Sequence, residues 1–224
     1  MPSETCKLFV GTRIAVGAAN ALAGAAETLA RRARDAGLDV RWVPPANYHV
    51  TLKYLGWARN EAIVAIGDAL ARAVAGTRRF DVHVARLGAF ASLERATVLW
   101  AGIADPAPLA ALAGKVDTAM TALGFAAETR PYAPHLTLAR LKAPAALREV
   151  VLPLAEQMFG GGGVTEVILY ESETKPTGSV YRELRRISFQ TASQGGSEAE
   201  KRQIDRVDQG ASEDTDDGWP RGHS

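Results

Sequence analysis

The tetrapeptide His49-Val50-Thr51-Leu52 returns 86 residues later as His135-Leu136-Thr137-Leu138, and the two copies use two of only four histidines in 224 residues. β-Branched and apolar residues run through both copies, and prolines precede each, so both read as β-strands. Alternation along a strand sets His49 and Thr51 on one face with Val50 and Leu52 on the other, and does the same for His135 and Thr137. A chain built around this unit has to bury two apolar undersides while leaving two His-Thr faces together in the open.

The surroundings of the two copies also match. In the first half a strand at 8–14 is followed by an alanine-rich helix at 18–36 that Gly37 stops, a short strand at 40–43, and the His-Thr strand to Gly56. A helix capped by Asn60 runs to about Ala75, with strands at 80–87 and 97–101 after it. The second half offers a helix at 106–123 closed by Gly124, the second His-Thr strand, and a helix near 145–157. A flexible or tightly turning loop at 160–163 follows, then strands at 164–170 and 181–189 joined by a turn at 172–179. This order predicts an α+β protein of two similar lobes related by a pseudo-two-fold axis, a single domain over residues 6–190. Residues 191–224 are polar and acidic and are expected to form a disordered tail.

Charge and cysteine content narrow the function classes. The tail has 4 basic and 8 acidic residues out of 26 and 25, leaving the body at about +5, enough for a basic cleft but not for a nucleic-acid coat. Cys6 is the only cysteine, which rules out an internal disulfide framework and a cysteine metal cluster. The N-terminus shows no basic-then-apolar leader, and no apolar run approaches the ~20 residues that span a bilayer. A cytoplasmic protein without membrane contact is expected.

Two imidazoles, each beside a hydroxyl, suit acid–base work on a phosphoester. Opening a cyclic phosphodiester with water needs a base on the incoming oxygen and an acid on the departing one, on opposite sides of phosphorus. Histidine's ordinary pKa near ~6.5 lets one ring be neutral and the other protonated near neutral pH. Thr51 and Thr137 can donate to the non-bridging oxygens, where charge is held through the transition state. Neither copy has a Glu or a second His at metal-ligand spacing, so no metal is expected.

The flanks carry a resemblance. Lys7-Leu8-Phe9-Val10, Asn47 through Gly56, Arg130-Pro131-Tyr132-Ala133-Pro134-His135-Leu136-Thr137-Leu138-Ala139-Arg140, Tyr170-Glu171-Ser172 and Gly178-Ser179-Val180-Tyr181 together resemble the two-histidine phosphoesterase superfamily, in its LigT-like RNA 2′,3′-cyclic phosphodiesterase branch. The resemblance implies antiparallel sheets lining a central cleft with helices outside. It also implies His49 as proton donor to the leaving 3′-oxygen, His135 as the base that activates water, and a 2′-phosphomonoester product, with no organic cofactor. Some members also join or cleave 2′–5′ linkages in RNA. RNA ends such as tRNA fragments or oligoribonucleotides are the implied partners, and the protein is expected to be a monomer. The alternatives are a phosphodiesterase acting on small cyclic nucleotides or ADP-ribose cyclic phosphate, and a non-catalytic RNA-end-binding module.

Further candidates surround the motifs. Arg130, on a loop that can fold over the cleft, is favoured for holding phosphate with its planar fork; regular alternation places Arg140 on the opposite face from His135 unless the strand bulges. Lys53 shares the face of His49 and Thr51 by alternation, Tyr132 offers a surface for base stacking, and Tyr181 is a candidate for the cleft wall. Tyr48, Phe9 and Trp42 read as core, and His83 and His223 as bystanders.

Overall fold

Leu8 and Val10, Val50 and Leu52, and Leu136 and Leu138 are all buried, so three strands present alternate aliphatic residues to one layer. They lie at the centre of the computed structural model, which describes residues 4–175 and 178–190. In chain order the elements are β1 (Thr5–Thr12), α1 (Val16–Asp35), β2 (Val40–Trp42), β3 (Val50–Arg59), α2 (Ala62–Ala73), β4 (Phe80–Phe90) and β5 (Ala96–Ile103). Then come α3 (Ala107–Ala122), β6 (His135–Ala145), α4 (Arg148–Val151), β7 (Met158–Val164), β8 (Glu166–Lys175) and β9 (Gly178–Ser188). The expected tail, with His223, lies outside the described residues.

The strands form one antiparallel sheet in the order β7-β4-β5-β6-β3-β1-β8-β9, with β2 also paired to β6. Read outward from its centre the sheet is symmetric: β3-β1-β8-β9 on one side matches β6-β5-β4-β7 on the other. The fold is the expected α+β, with helices on the apolar side. One detail differs from a simple repeat of halves: β4 and β5, expected to finish the first half, pair with each other, and β5 pairs with β6 of the second half. The reason is positional. Both edges of β3 are already taken by β1 and β6, so the chain leaving α2 has to find its partners in the other half.

Two local expectations are corrected. The helix expected near 145–157 is only α4 with a 3₁₀ turn at Leu152–Leu154 after it. Pro153 has no N–H and its ring crowds the carbonyl four residues back, so a longer helix cannot run through it. The glycine run expected as a loop is strand β7, paired with β4. A Cβ on Gly161 would lie 2.5 Å from the Val82 carbonyl oxygen and 2.6 Å from the His83 ring, and one on Gly163 would lie 2.1 Å from Arg79. Bare backbone lets the side chains of β4 lie across the neighbouring strand.

Candidate active site

β3 and β6 meet at the pair Val50–Leu136, the residues that directly follow the two histidines. Both Val50 and Leu136 point into the core, so His49, Thr51, His135 and Thr137 all lie on the opposite, open face. Antiparallel order sets each histidine toward the other strand's threonine and diagonal to the other histidine. Diagonal neighbours across such a pair stand about 7–8 Å apart at the backbone, room for one phosphoryl group between two rings.

The imidazoles are oriented alike. His49 Nδ1 lies 2.7 Å from the Asn47 carbonyl oxygen and His135 Nδ1 lies 2.8 Å from the Ala133 carbonyl oxygen. A carbonyl can only accept, so Nδ1 carries the proton in both rings and Nε2 is left for proton exchange. Aromatic rings fix the remaining freedom. His49 packs against Phe9 at 4.8 Å and meets Tyr181 edge-on at 5.1 Å; His135 meets Phe90 edge-on at 5.0 Å and lies 6.5 Å from Trp100. Burial holds the His49 imidazole below its ordinary pKa; the Asn47 carbonyl opposes this, while the charges of His135 and Arg140 add to it.

From His49 to Tyr54 and from His135 to Arg140 the residues run alike: partly open, buried, partly open, buried, buried, exposed. The two adjacent buried positions mark a break in alternation. In β3, Thr51 pairs with Gly11 and Lys53 with Val10, so Leu52 is an extra residue; in β6, Thr137 pairs with Trp100 and Ala139 with Leu99, so Leu138 is. Each bulge turns the strand by one position. Arg140 therefore returns to the face of His135 and Thr137, and its charge is felt at His49. Among the described residues no carboxylate pairs with Arg140.

The family model described as LigT like phosphoesterase matches residues 16–100 and 102–181, which contain both His-Thr strands. The chain belongs to the LigT-like phosphoesterase family. One relative, named RNA 2′,3′-cyclic phosphodiesterase, from Methanothermobacter thermautotrophicus, is 30% identical over 154 residues, 67% of this chain and 83% of its own length. Another of the same name, from Aeropyrum pernix, is 30% identical over 66% of this chain and 85% of its own length. Among solved structures, TT0787 of Thermus thermophilus superposes with a TM-score of 0.67 at 27% identity, covering 82% of this chain and 97% of that one. E. coli LigT complexed with 3′-AMP superposes with a TM-score of 0.65 at 25% identity, covering 84% of this chain and 100% of that one.

In this LigT-like chain some expected contacts are engaged elsewhere. The bulge at Leu52 sends Lys53 to the apolar side, where it is 6% exposed, ion-paired with Asp117 of α3 and donating to the Ala126 carbonyl at 2.7 Å. The expectation that Lys53 shares the face of His49 and Thr51 is thereby overturned: alternation holds only to the bulge. Arg130 is bound through two nitrogens to the carboxylate of Glu128, with its side chain 83% exposed. Arg140 takes the face that alternation denied it unless the strand bulged, as it does at Leu138. Tyr132, expected as a stacking surface, instead packs against the core and donates its hydroxyl to the Thr51 carbonyl at 2.8 Å, tying the loop before β6 to the first His-Thr strand. Tyr181 lies in the wall beside His49.

Two aromatic residues were missed, and Phe9 does more than its expected core packing. Phe9, buried as expected in a small cluster with Ile168 and Tyr170, stacks with Tyr170 at 4.9 Å and packs against the His49 ring. Phe90 and Trp100 do the corresponding work at His135. Trp100 can lie across β4 because Gly88 stands beneath it: a Cβ there would be 2.2 Å from the indole. The register Gly88–Trp100–Thr137 was the signal, but it exists only once three strands are paired. Among the described residues no group of three or more His, Cys, Asp or Glu is placed to hold a metal, and no helix is long and apolar enough to cross a membrane.

Proposed function

We propose that this protein hydrolyses RNA ends bearing a 2′,3′-cyclic phosphate to 2′-phosphomonoesters, with His135 and His49 as base and acid and without a metal. The reading is carried by the paired Nδ1–carbonyl bonds, which leave two Nε2 atoms on one face beside two threonines. The names of the relatives support the substrate class. His135 Nε2 takes a proton from water as its oxygen attacks phosphorus, and His49 Nε2–H delivers a proton to the departing 3′-oxygen. Thr51, Thr137 and the fork of Arg140 hold the non-bridging oxygens, where hydrogen bonds to charge are strongest.

The depressed pKa of His49 has a role in this scheme. Burial opposes the imidazolium; an anionic cyclic phosphate beside it favours the charged form. The acid is thus charged with its substrate. Both histidines come from one chain, so a monomer suffices, and we assign the work to the cytoplasm, where RNA ends are processed.

The test is hydrolysis, in EDTA, of an oligoribonucleotide ending in a 2′,3′-cyclic phosphate. Turnover should survive chelation and fall by at least ~10²-fold in His49→Ala and in His135→Ala. Loss of activity on chelation, or full activity in both variants, overturns the proposal.

A further inference from the structure

The open face of β1 and β3 continues outward from His49 as three rows. Cross-strand partners share a face, so Phe9 and Tyr54, then Lys7 and Trp57, then Thr5 and Arg59 follow one another away from the histidine. Each row advances about 7 Å, two residues along an extended strand. Phe9 is covered, but its row partner Tyr54 is 57% exposed, and Trp57, one row further out, is 69% exposed. Lys7 Nζ lies 5.8 Å from the centre of the Tyr54 ring. The opposite side of the same strands, with Cys6, Leu8 and Ala58, is packed in the core, so these aromatics are surplus to folding.

Charge points the same way. Many surface cations of this protein are neutralised, among them Arg79, Arg130, Lys142, Arg148 and Arg182. Among the described residues, neither Lys7 nor Arg59 is in an ion pair. Exposed rings that accept any base, interleaved with unpaired cations that track a backbone, are what a single strand of nucleic acid binds. Trp57 lies one row, about 7 Å, beyond Phe9 and Tyr54, away from the space between the histidines.

We propose that Tyr54 and Trp57, with Lys7 and Arg59, form a platform for the nucleotides preceding the reacting end, making this protein selective for oligoribonucleotides over cyclic mononucleotides. This rests on the reading of the histidine site given above and names its substrate class. Tyr54 and Trp57 stack bases; Lys7 and Arg59 meet the phosphates between them.

The experiment compares a tetraribonucleotide ending in 2′,3′-cyclic phosphate with adenosine 2′,3′-cyclic monophosphate, in wild type, Tyr54→Ala and Trp57→Ala. Loss of one stacked base should raise KM for the tetramer on the order of ten-fold or more, leaving kinetics on the mononucleotide within about two-fold. Lys7→Ala should flatten the salt dependence of tetramer binding by about one unit of slope. An unchanged tetramer KM, or an equal loss on both substrates, overturns the platform. Should wild type turn over neither substrate, the hydrolase reading fails, and the platform is judged by fluorescence anisotropy with a labelled tetramer ending in 3′-phosphate: about ten-fold weaker binding by Trp57→Ala sustains it, and equal binding removes it.

Discussion

Replacing Arg140 tests whether the bulge at Leu138 brings a phosphate-binding cation to the histidines. Hydrogen bonds to a charged partner contribute about 1.5–3 kcal/mol, so Arg140→Ala should lower kcat/KM on cyclic-phosphate RNA by roughly 10- to 150-fold. The same change removes a positive charge that pushes the His49 pKa down. As the proton donor, His49 has to be protonated, so it sets the alkaline limb of the kcat/KM profile, and that limb should move to higher pH in Arg140→Ala. Arg140→Lys separates the two effects. It keeps the charge and hence the position of the limb, but a single ammonium cannot reproduce the planar fork, so kcat/KM still falls. Arg130→Ala is the control: its guanidinium is held by Glu128 at an exposed site, and kcat/KM should stay within about two-fold of wild type. Steady-state kinetics from pH 5 to 9, in steps of about half a unit, would resolve all four proteins. Wild-type kcat/KM in Arg140→Ala together with a ten-fold or greater loss in Arg130→Ala would refute the reasoning from the bulge.

Tyr181→Ala should open the wall beside His49 to water, relieve the burial that depresses its pKa, and shift the alkaline limb to higher pH; an unmoved limb counts against Tyr181 as the source of that burial. Asp117→Asn strips the buried Lys53 of its counter-charge and should cost about 3 kcal/mol, the lower end for a broken buried pair because Asp117 keeps some solvent, or roughly 6–12 °C in Tm. The Lys53 hydrogen bond holds Asp117 below its ordinary 3.8, so its stabilisation is complete above that value and is lost as pH falls through the depressed one. Melting curves of wild type and Asp117→Asn should therefore converge only in strongly acid solution. Gly88→Ala forces the Trp100 indole off β4 and should lower kcat/KM while costing about 1–3 kcal/mol of stability, readable from tryptophan fluorescence and denaturant melts.

Much of the site could be read along the chain. His49 with Thr51 and His135 with Thr137 needed only the two-residue period of a strand, which depends on local backbone geometry and nothing else. The α+β class followed from the alternation of the two hydrophobic periods, and α1, α2 and α3 appear close to their expected places. What failed was inference carried past a point where two strands pair unevenly. Lys53 and Arg140 exchanged faces because Leu52 and Leu138 are bulged, and a bulge is a property of two strands together.

Apart from the helix that Pro153 cuts short, the other misreadings also come from strand pairing. Residues 160–163 form a strand by pairing with β4, and glycine serves there because His83 of β4 and Arg79 just before it occupy the space that side chains would need. Phe9, Phe90 and Trp100 became walls of a site because β8 pairs with β1 and β5 pairs with both β4 and β6. Local spacing decided which residues are offered for the proposed proton chemistry, since each His-Thr pair lies within one short extended segment. Tertiary pairing decided which cation, rings and carbonyls surround them, since those neighbours come from strands that meet only when the sheet closes.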